Sequence, residues 1–335
     1  MSKYMQARGL LLSEKVNTQY GDQIDDLAIQ AGVLLKRYVV GDDFKAHDNI
    51  HAAFFSRDLY EGSTLSHPAE LSDRFFKIVD AAPYLQWLHV CTTGTDLHQY
   101  APTIQRGLTI TASGGVTALP IAQSVLAAVL AQSRGFVHWL NAQARRCWNP
   151  LSLAEAPKPI EEQRAVIIGA GSIGTEIARL LKCVGFKTMA VRKDPQKKSA
   201  YFQQTYSLES LDALLPECDW LILAAPLTLE TEGLVNASRI ALLPRGARVV
   251  NISRGGLIVE AALIRALESG HIAGAFLDTF EIEPLPQSSP LWHLPGVWIS
   301  PHNCAASQGH EAKVVEAFLD HLPSYLRNIA RTEHG

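Results

Sequence analysis

Three residues with complementary chemistry follow segments that the sequence predicts to be β-strands: Arg254, Glu283 and His302. An arginine can hold a carboxylate and polarise a ketone, and a histidine can donate a proton near neutral pH. A carboxylate beside that histidine would orient the ring and favour its protonated form. Together the three suit hydride transfer to a 2-oxo acid, and His302 becomes the base in the reverse direction. Taken singly, they could equally be a surface cation, a loop carboxylate and a satisfied polar histidine.

A glycine-rich motif lies upstream, between a buried strand pattern at 165–168 and a predicted helix at 175–184. In order, its residues are Gly169, Ala170, Gly171, Ser172, Ile173 and Gly174. Gly169 permits a tight turn, Gly171 lets a pyrophosphate approach the backbone, and Gly174 lets helix and strand pack closely. The helix N-terminus then offers free N–H groups and a partial positive charge to the phosphates. This context predicts dinucleotide binding, although a merely tight strand-to-helix turn would use the same residues.

Two cations end the next predicted strand and bear on which dinucleotide would bind. Arg192 and Lys193 stand eighteen and nineteen residues after Gly174, where an NAD-type site usually presents an acidic residue to the ribose hydroxyls. A guanidinium can bind a 2′-phosphate through charge-assisted hydrogen bonds worth about 1.5–3 kcal/mol each. One such bond would favour NADP(H) over NAD(H) by roughly ten- to hundredfold. We therefore expect NADP(H) to be preferred and NAD(H) to be possible. Asp194 lies close by and weakens this argument, and an ordinary basic loop is the alternative.

The composition limits the class of protein. At about 150 residues per domain, 335 residues predict two domains. A formal net charge of −3 argues against a nucleic-acid or anionic-membrane surface as the main role. The longest strictly apolar run, 125–131, is shorter than the roughly 20 residues of a membrane helix, and the N-terminus shows no secretory signal pattern. The five cysteines lack the spacing of a zinc or redox pair, so we expect free thiols in the cytoplasm and no metal.

Short apolar runs alternate with helical stretches along the chain, which is typical of parallel α/β structure. The first third predicts strands at 9–12, 33–39, 51–55, 87–90 and 108–112. The second series of predicted strands comprises 165–168, 187–191, 220–224, 248–252, 274–277 and 297–300. Six strands is the number of a full doubly wound dinucleotide domain. Residues 118–140 predict one long helix and 150–163 an irregular connector, and a last helix at 307–330 could pack back on the first domain.

With its motifs taken in order, the chain resembles the D-isomer-specific 2-hydroxyacid dehydrogenases, and most closely their glyoxylate/hydroxypyruvate reductase branch. The resemblance covers the second predicted domain and a good part of the first. The segments that carry it are Gly169–Gly174, Ala225–Thr228 with Thr231, Asn251–Gly255, Asp278–Pro286, Pro301 with His302, and Leu119–Ala122.

This resemblance implies an α/β fold of two doubly wound parallel-sheet domains, a Rossmann nucleotide domain and a flavodoxin-like substrate domain. It implies an active site in the interdomain cleft and a homodimeric assembly. It also implies that the last helix closes the first domain. The substrate-binding domain would then be discontinuous, with residues 1–115 and 306–335, and the dinucleotide-binding domain would span 116–305.

The resemblance assigns the catalytic roles to Arg254, Glu283 and His302, and it selects Glu283, directly before Pro284, over Glu281. It implies that Asp278 helps to hold the nicotinamide carboxamide. The expected cofactor-binding residues are Gly169, Gly171, Ser172, Ile173, Gly174, Arg192, Lys193, Ala225, Pro226, Thr231, Ile252, Ser253, Arg254, Asp278 and His302.

The substrate carboxylate would meet the turn that follows the fourth predicted strand. From sequence alone this turn could equally be a plain strand-to-loop link, and it is the resemblance that gives its backbone N–H groups a role. The expected substrate-binding residues are Thr93, Gly94, Thr95, Arg254 and His302.

The chain departs from the family pattern at three places. Arg192 replaces the acidic residue of NAD-dependent members, which agrees with the NADP(H) expectation. Gln123 and Ser124 stand where many members carry Glu-His, which puts helix contacts in doubt. Asn303 and Cys304 follow His302 where a small or apolar pair is common, so substrate preference could differ.

Three functions remain as hypotheses. The first is an NADPH-dependent reductase that converts small 2-oxo acids, such as glyoxylate or hydroxypyruvate, to D-2-hydroxy acids. The second is a dinucleotide-sensing, corepressor-like binding protein with little turnover. The third, oxidation of formate or another very small anion with NAD, disagrees with Arg192. Side-chain selectivity would depend on loops of the first domain and on a partner-subunit residue such as Trp139 or Trp148, although both could be core or dimer-contact aromatics.

Overall fold

The computed structural model describes residues 7–42, 49–62, 68–94 and 98–332, which contain twelve β-strands and eleven α-helices. The strands are β1 (Arg8–Leu12), β2 (Leu35–Val39), β3 (Ile50–Phe55), β4 (Trp87–Val90), β5 (Thr109–Ala112), β6 (Arg164–Ile168), β7 (Lys187–Val191), β8 (Gln204–Tyr206), β9 (Trp220–Leu223), β10 (Ala247–Asn251), β11 (Ile272–Leu277) and β12 (Val297–Ile299). The helices are α1 (Glu14–Gln30), α2 (Arg57–Tyr60), α3 (Glu70–Ala81), α4 (Ala101–Gln105), α5 (Gly114–Ser133), α6 (Phe136–Ala144), α7 (Ser172–Cys183), α8 (Leu211–Leu214), α9 (Ala237–Leu242), α10 (Glu260–Glu268) and α11 (His310–Thr332).

The chain divides into two compact units. The described residues up to Thr117, together with those from Ser307 onward, form unit 1, and Ala118–Ala306 form unit 2. Each of the eleven strands predicted from the sequence is present to within two residues at either end. The prediction worked because strands buried on both faces of a parallel sheet have nearly continuous apolar sequences.

Unit 1 is built on a five-stranded parallel sheet in the order β2-β1-β3-β4-β5, the doubly wound order of flavodoxin-like domains. Leu10, Leu11 and Leu12 of the β1 strand are fully buried. The last helix, α11, adds its apolar face to this core, where the Phe318 ring stacks on Phe54 with ring centres 4.2 Å apart.

Unit 2 is built on a seven-stranded parallel sheet in the order β12-β11-β10-β9-β6-β7-β8. The chain runs outward from β6 to β8 and returns on the other side of β6 through β9, so the strand order reverses between β6 and β9. In open α/β sheets ligands bind at such a reversal, beyond the carboxyl ends of the strands. The two sheets confirm the predicted fold class.

Two elements of unit 2 differ from the sequence expectation. The strand β8 was not predicted, because three partly exposed residues with polar Gln204 and Thr205 do not form an apolar run. The single helix predicted at 118–140 was wrong, since the chain forms α5 and α6 instead. Gly135 separates them with a left-handed φ of +81°, which a helix interior does not accommodate.

The helix α5 is long and apolar. By length and composition alone it would also pass as a membrane-spanning helix, and it is the one such helix in the described ranges. In unit 2 one of its faces packs in the core beside the sheet. The buried residues of that face are Ile121, Ala122, Val125, Ala128 and Val129. These residues make one face of α5 part of the core of unit 2.

Candidate active site

The glycine motif forms the turn from β6 into α7. Gly169 has a left-handed φ of +96°, and a Cβ there would lie 2.5 Å from the Ala224 carbonyl oxygen. A Cβ on Gly174 would overlap the Gly169 carbonyl, whereas one on Gly171 would meet open space. The helix begins at Ser172 without a side-chain cap at Gly171, so its first N–H groups are available for an anion.

The loops after β9 and β10 lie beside this motif. Thr231 shapes the first loop, because its hydroxyl accepts from the Thr228 N–H (2.8 Å) and donates to the Pro226 carbonyl (2.7 Å). The Ser253 hydroxyl, after β10, donates to the Ala225 carbonyl and ties the two loops together. The expected cofactor residues Ala225, Pro226, Thr231, Ile252 and Ser253 therefore stand at one sheet edge with the glycine turn.

The two cations expected to select the cofactor directly follow β7. This strand is joined to the glycine turn, since the Gly169 N–H donates to the Val191 carbonyl (2.8 Å). Arg192 is half-buried, and its backbone N–H donates to the Tyr206 backbone carbonyl of β8 (2.9 Å). Lys193 is exposed. The Asp194 carboxylate accepts from the Gln196 N–H (3.0 Å) within its own loop. Positive charge thus stands next to the glycine turn, at the edge where β7 ends.

Glu283 and His302 come together at the carboxyl ends of β11 and β12. His302 Nδ1 lies 2.8 Å from Glu283 Oε2, and Glu283 Oε1 accepts from the Phe280 N–H (3.1 Å). Burial opposes ionisation of Glu283, but the His302 hydrogen bond and charge, the Phe280 N–H and the Arg254 charge outweigh it and hold the pKa of Glu283 below its usual value. Glu283 is therefore a carboxylate that fixes one ring nitrogen of His302 and leaves the other for a ligand.

Arg254 follows β10 in a loop that Asn251 organises. The Asn251 side chain accepts from the Ser253 N–H (3.1 Å) and donates to the Arg254 carbonyl (2.9 Å). Gly255 packs so closely that a Cβ there would overlap the Phe280 backbone. The loop that carries Arg254 is thus fitted directly against the segment that carries Glu283. Sequence reasoning gave neither Asn251 nor Gly255 a role, although both lie within a motif that carried the resemblance.

Two further acids of the segment after β11 have different partners. Glu281 is bound to the start of α10, where its carboxylate accepts from the Glu260 N–H (2.8 Å). The Asp278 carboxylate accepts from the N–H groups of Asn303 (2.9 Å) and Cys304 (3.0 Å) and from the Cys304 thiol (2.8 Å). A contact between Asp278 and a nicotinamide stays a prediction. Among the described residues, no group of three or more His, Cys, Asp or Glu is placed to hold a metal ion.

The expected substrate turn belongs to unit 1. The Thr92 hydroxyl donates to the Gly94 carbonyl (2.7 Å), and the hydroxyls of Thr93 and Thr117 are 2.6 Å apart. Thr95 lies outside the described residues. These bonds order the turn at the carboxyl end of β4, and its contact with a substrate stays a prediction.

Comparison with known proteins identifies the fold. A family model, the NAD-binding domain of D-isomer specific 2-hydroxyacid dehydrogenases, matches residues 126–304. The chain belongs to this family. The match lies wholly within unit 2 and confirms the resemblance drawn from the motifs.

Individual members of the family are similar to the chain in sequence or in fold. The chain is 35% identical over 219 residues to the glyoxylate/hydroxypyruvate reductase A of Salmonella paratyphi B, and the match covers 65% of each protein, slightly under two thirds. A D-isomer specific 2-hydroxyacid dehydrogenase from Xanthobacter autotrophicus Py2, solved in complex with NADPH and MES, is 28% identical with a TM-score of 0.71 over 95% of both chains. The NADPH-dependent glyoxylate/hydroxypyruvate reductase of Sinorhizobium meliloti is 24% identical, with a TM-score of 0.73 over 98% of this chain and 96% of that one.

Proposed function

We propose that the protein reduces small 2-oxo acids, such as glyoxylate or hydroxypyruvate, to D-2-hydroxy acids with NADPH. The observation that carries the proposal is the His302–Glu283 pair at 2.8 Å, within the field of Arg254 and at the same sheet edge as the glycine turn. A proton donor, a fixed carboxylate and a guanidinium are the groups that reduction of a 2-oxo acid requires.

The geometry supports a role for each of the three residues. Arg254 binds the substrate carboxylate and polarises the ketone. His302 donates the proton that the carbonyl oxygen needs as its negative charge develops, through the ring nitrogen that Glu283 does not hold. Glu283 stays ionised and holds Nδ1 of the ring by a hydrogen bond. A bound nicotinamide dinucleotide supplies the hydride.

The glycine turn fits a dinucleotide. The open space at Gly171 and the uncapped start of α7 would receive the pyrophosphate, and Gly169 and Gly174 are already close-packed by the protein itself. Arg192 and Lys193 supply positive charge for a 2′-phosphate, which favours NADPH while leaving NADH usable. The NADPH complex of the Xanthobacter autotrophicus relative, at 28% identity, supports this preference.

The proposal also assigns parts to the two units. Unit 2, which corresponds to residues 116–305 of the sequence expectation, would bind the dinucleotide. Unit 1, which corresponds to residues 1–115 and 306–335 of the sequence expectation, would recognise the substrate carboxylate through backbone N–H groups of Thr93, Gly94 and Thr95.

We also propose that the protein is a homodimer. Large apolar side chains of unit 2 are exposed to solvent on α6 and on the connector after it: Trp139 is exposed, Trp148 is 97% exposed and Leu153 is 98% exposed. A second copy of the chain that covered them would remove this apolar area from water. The molar mass in solution, measured by light scattering during size-exclusion chromatography, tests this part of the proposal, and a monomer at micromolar concentration would contradict it.

The decisive experiment follows nicotinamide absorbance with purified protein, NADPH or NADH, and glyoxylate, hydroxypyruvate, pyruvate and phenylpyruvate. We expect NADPH oxidation with at least one of these acids. In the His302→Ala variant we expect kcat to fall by at least about 100-fold. His293→Ala is the matched control, because His293 is an exposed histidine of the same unit. Tight NADPH binding without turnover would overturn the proposal in favour of a dinucleotide sensor.

A further inference from the structure

The backbone of His302 is held in an unfavourable conformation. Its φ of +52° lies in the left-handed region, which residues with a side chain rarely adopt. Such a conformation is energetically costly and persists only where the surroundings enforce it. The groups that enforce it determine where the imidazole ring points.

Most of these restraints come from one residue, Asp278. Its backbone carbonyl accepts from the His302 N–H (2.9 Å), and its carboxylate accepts from the N–H groups of Asn303 and Cys304. Asp278 is only 3% exposed, so water does not compete for these bonds. The Ser124 hydroxyl of α5 holds the same loop from another side by donating to the Cys304 carbonyl (2.9 Å).

The Cys304 thiol completes the arrangement. Its sulfur lies 2.8 Å from Asp278 Oδ2, on the carboxylate oxygen that the two backbone N–H groups leave free. Burial and the neighbouring charge of Asp278 raise the pKa of Cys304, so the thiol stays protonated and can donate a hydrogen bond to the carboxylate. Cys304 therefore acts here as a hydrogen-bond donor and not as a nucleophile.

Asp278 and Glu283 lie on the same segment after β11. One carboxylate of this segment binds the backbone that follows His302, and the other binds the His302 ring. We propose that Asp278 and Cys304 are positioning residues for His302: the buried thiol–carboxylate bond holds the loop in the conformation that brings Nδ1 to Glu283. The kinetic test of this inference rests on the proposed reductase function.

The test compares Cys304→Ala, which removes the donor, with Cys304→Ser, which keeps one. We expect Cys304→Ala to lower kcat about tenfold, the loss for one hydrogen bond to a charged group, with KM for NADPH changed less than about twofold. The alkaline limb of the kcat–pH profile should move to lower pH, because a loosened Glu283 stabilises the protonated ring less. Cys304→Ser should stay within about threefold of the wild type. Cys218→Ala is the control for loss of a buried thiol elsewhere in unit 2.

A second measurement tests the proposal and does not require the protein to turn over a substrate. The imidazole N–H shared with Glu283 should give a downfield proton signal in NMR spectra, identified by its loss in His302→Gln. We expect this signal in the wild type and in Cys304→Ser, and its broadening or upfield shift in Cys304→Ala. The proposal is overturned if Cys304→Ala leaves both signal and pH profile unchanged, or if Cys304→Ser is as impaired as Cys304→Ala. A wild type that shows the signal but reduces no 2-oxo acid would overturn the proposed function alone.

Discussion

At the scale of single residues, the lowered pKa of Glu283 keeps this carboxylate ionised well into the acid range. The pKa of this carboxyl is held below its usual value of about 4.5 by the His302 contact. A depressed pKa means that the stabilising contact is fully present above about pH 4.5 and is lost only as the pH falls through the lower pKa of the folded protein. Acid loss of activity between pH 7 and pH 5 therefore should not come from Glu283.

The substitution Glu283→Gln tests the value of this charge. A neutral amide can still accept a hydrogen bond but cannot stabilise a protonated ring electrostatically. We expect kcat to fall about ten- to hundredfold, and the alkaline limb of the kcat–pH profile to move to lower pH. The matched control is Glu281→Gln, two residues away and bound to α10, which should stay within about threefold of the wild type. Equal losses in the two variants would contradict the assignment.

At the scale of elements, the turn from β6 into α7 contains two glycines that are required for different physical reasons. Gly174 has no room for a Cβ within the protein itself, whereas Gly171 borders open space at an ordinary backbone conformation. We expect Gly174→Ala to lower the Tm of unit 2 by several degrees, as overpacking usually does. Gly171→Ala should leave Tm nearly unchanged but weaken NADPH binding about tenfold, because a methyl would stand where the pyrophosphate approaches. Differential scanning calorimetry and a fluorescence titration with NADPH would measure the two effects.

The loop after β7 carries the prediction on cofactor choice. In Arg192→Asp, a carboxylate replaces the cation and would repel a 2′-phosphate. We expect KM for NADPH to rise at least about tenfold while KM for NADH changes less than about threefold. Because NADH lacks the 2′-phosphate, it is the internal control within the same variant. A parallel rise in both constants would indicate damage to the loop rather than a lost phosphate contact.

The order of the elements could be predicted from the sequence because parallel strands are buried on both faces and so appear as apolar runs. The strand β8 escaped prediction since its pairing with β7 depends on tertiary contact and not on local composition. The break at Gly135 also escaped, because one glycine inside an apolar helical pattern does not reveal its φ. The bond between Asp278 and Cys304 could not be foreseen either, since it joins residues of two separate loops.

At the scale of the whole molecule, the two units should respond differently to acid. His89 lies in β4, between β3 and β5 of the unit 1 sheet, and is fully buried; its ring nitrogens are 2.7 Å from the Thr111 hydroxyl and 3.0 Å from the Ser113 hydroxyl. Burial, and then the charge of nearby His321, lower the pKa of His89 from 6.5 to about 3. The folded unit thus keeps this ring neutral over a range in which an unfolded chain would bind a proton.

This difference makes unit 1 lose stability as the pH falls from about 6.5 towards 3, because His89 binds a proton in the unfolded state but not in the folded state. The free energy of unfolding should fall by up to about 1.4 kcal/mol per pH unit from His89 alone. In differential scanning calorimetry from pH 7 to pH 5, we expect the transition of unit 1 to move to lower temperature further than that of unit 2. His89→Gln keeps a neutral hydrogen-bonding side chain and should reduce the gap between the two shifts. If both transitions moved in parallel in the wild type, or if His89→Gln left the gap unchanged, acid sensitivity would have to arise elsewhere in the chain.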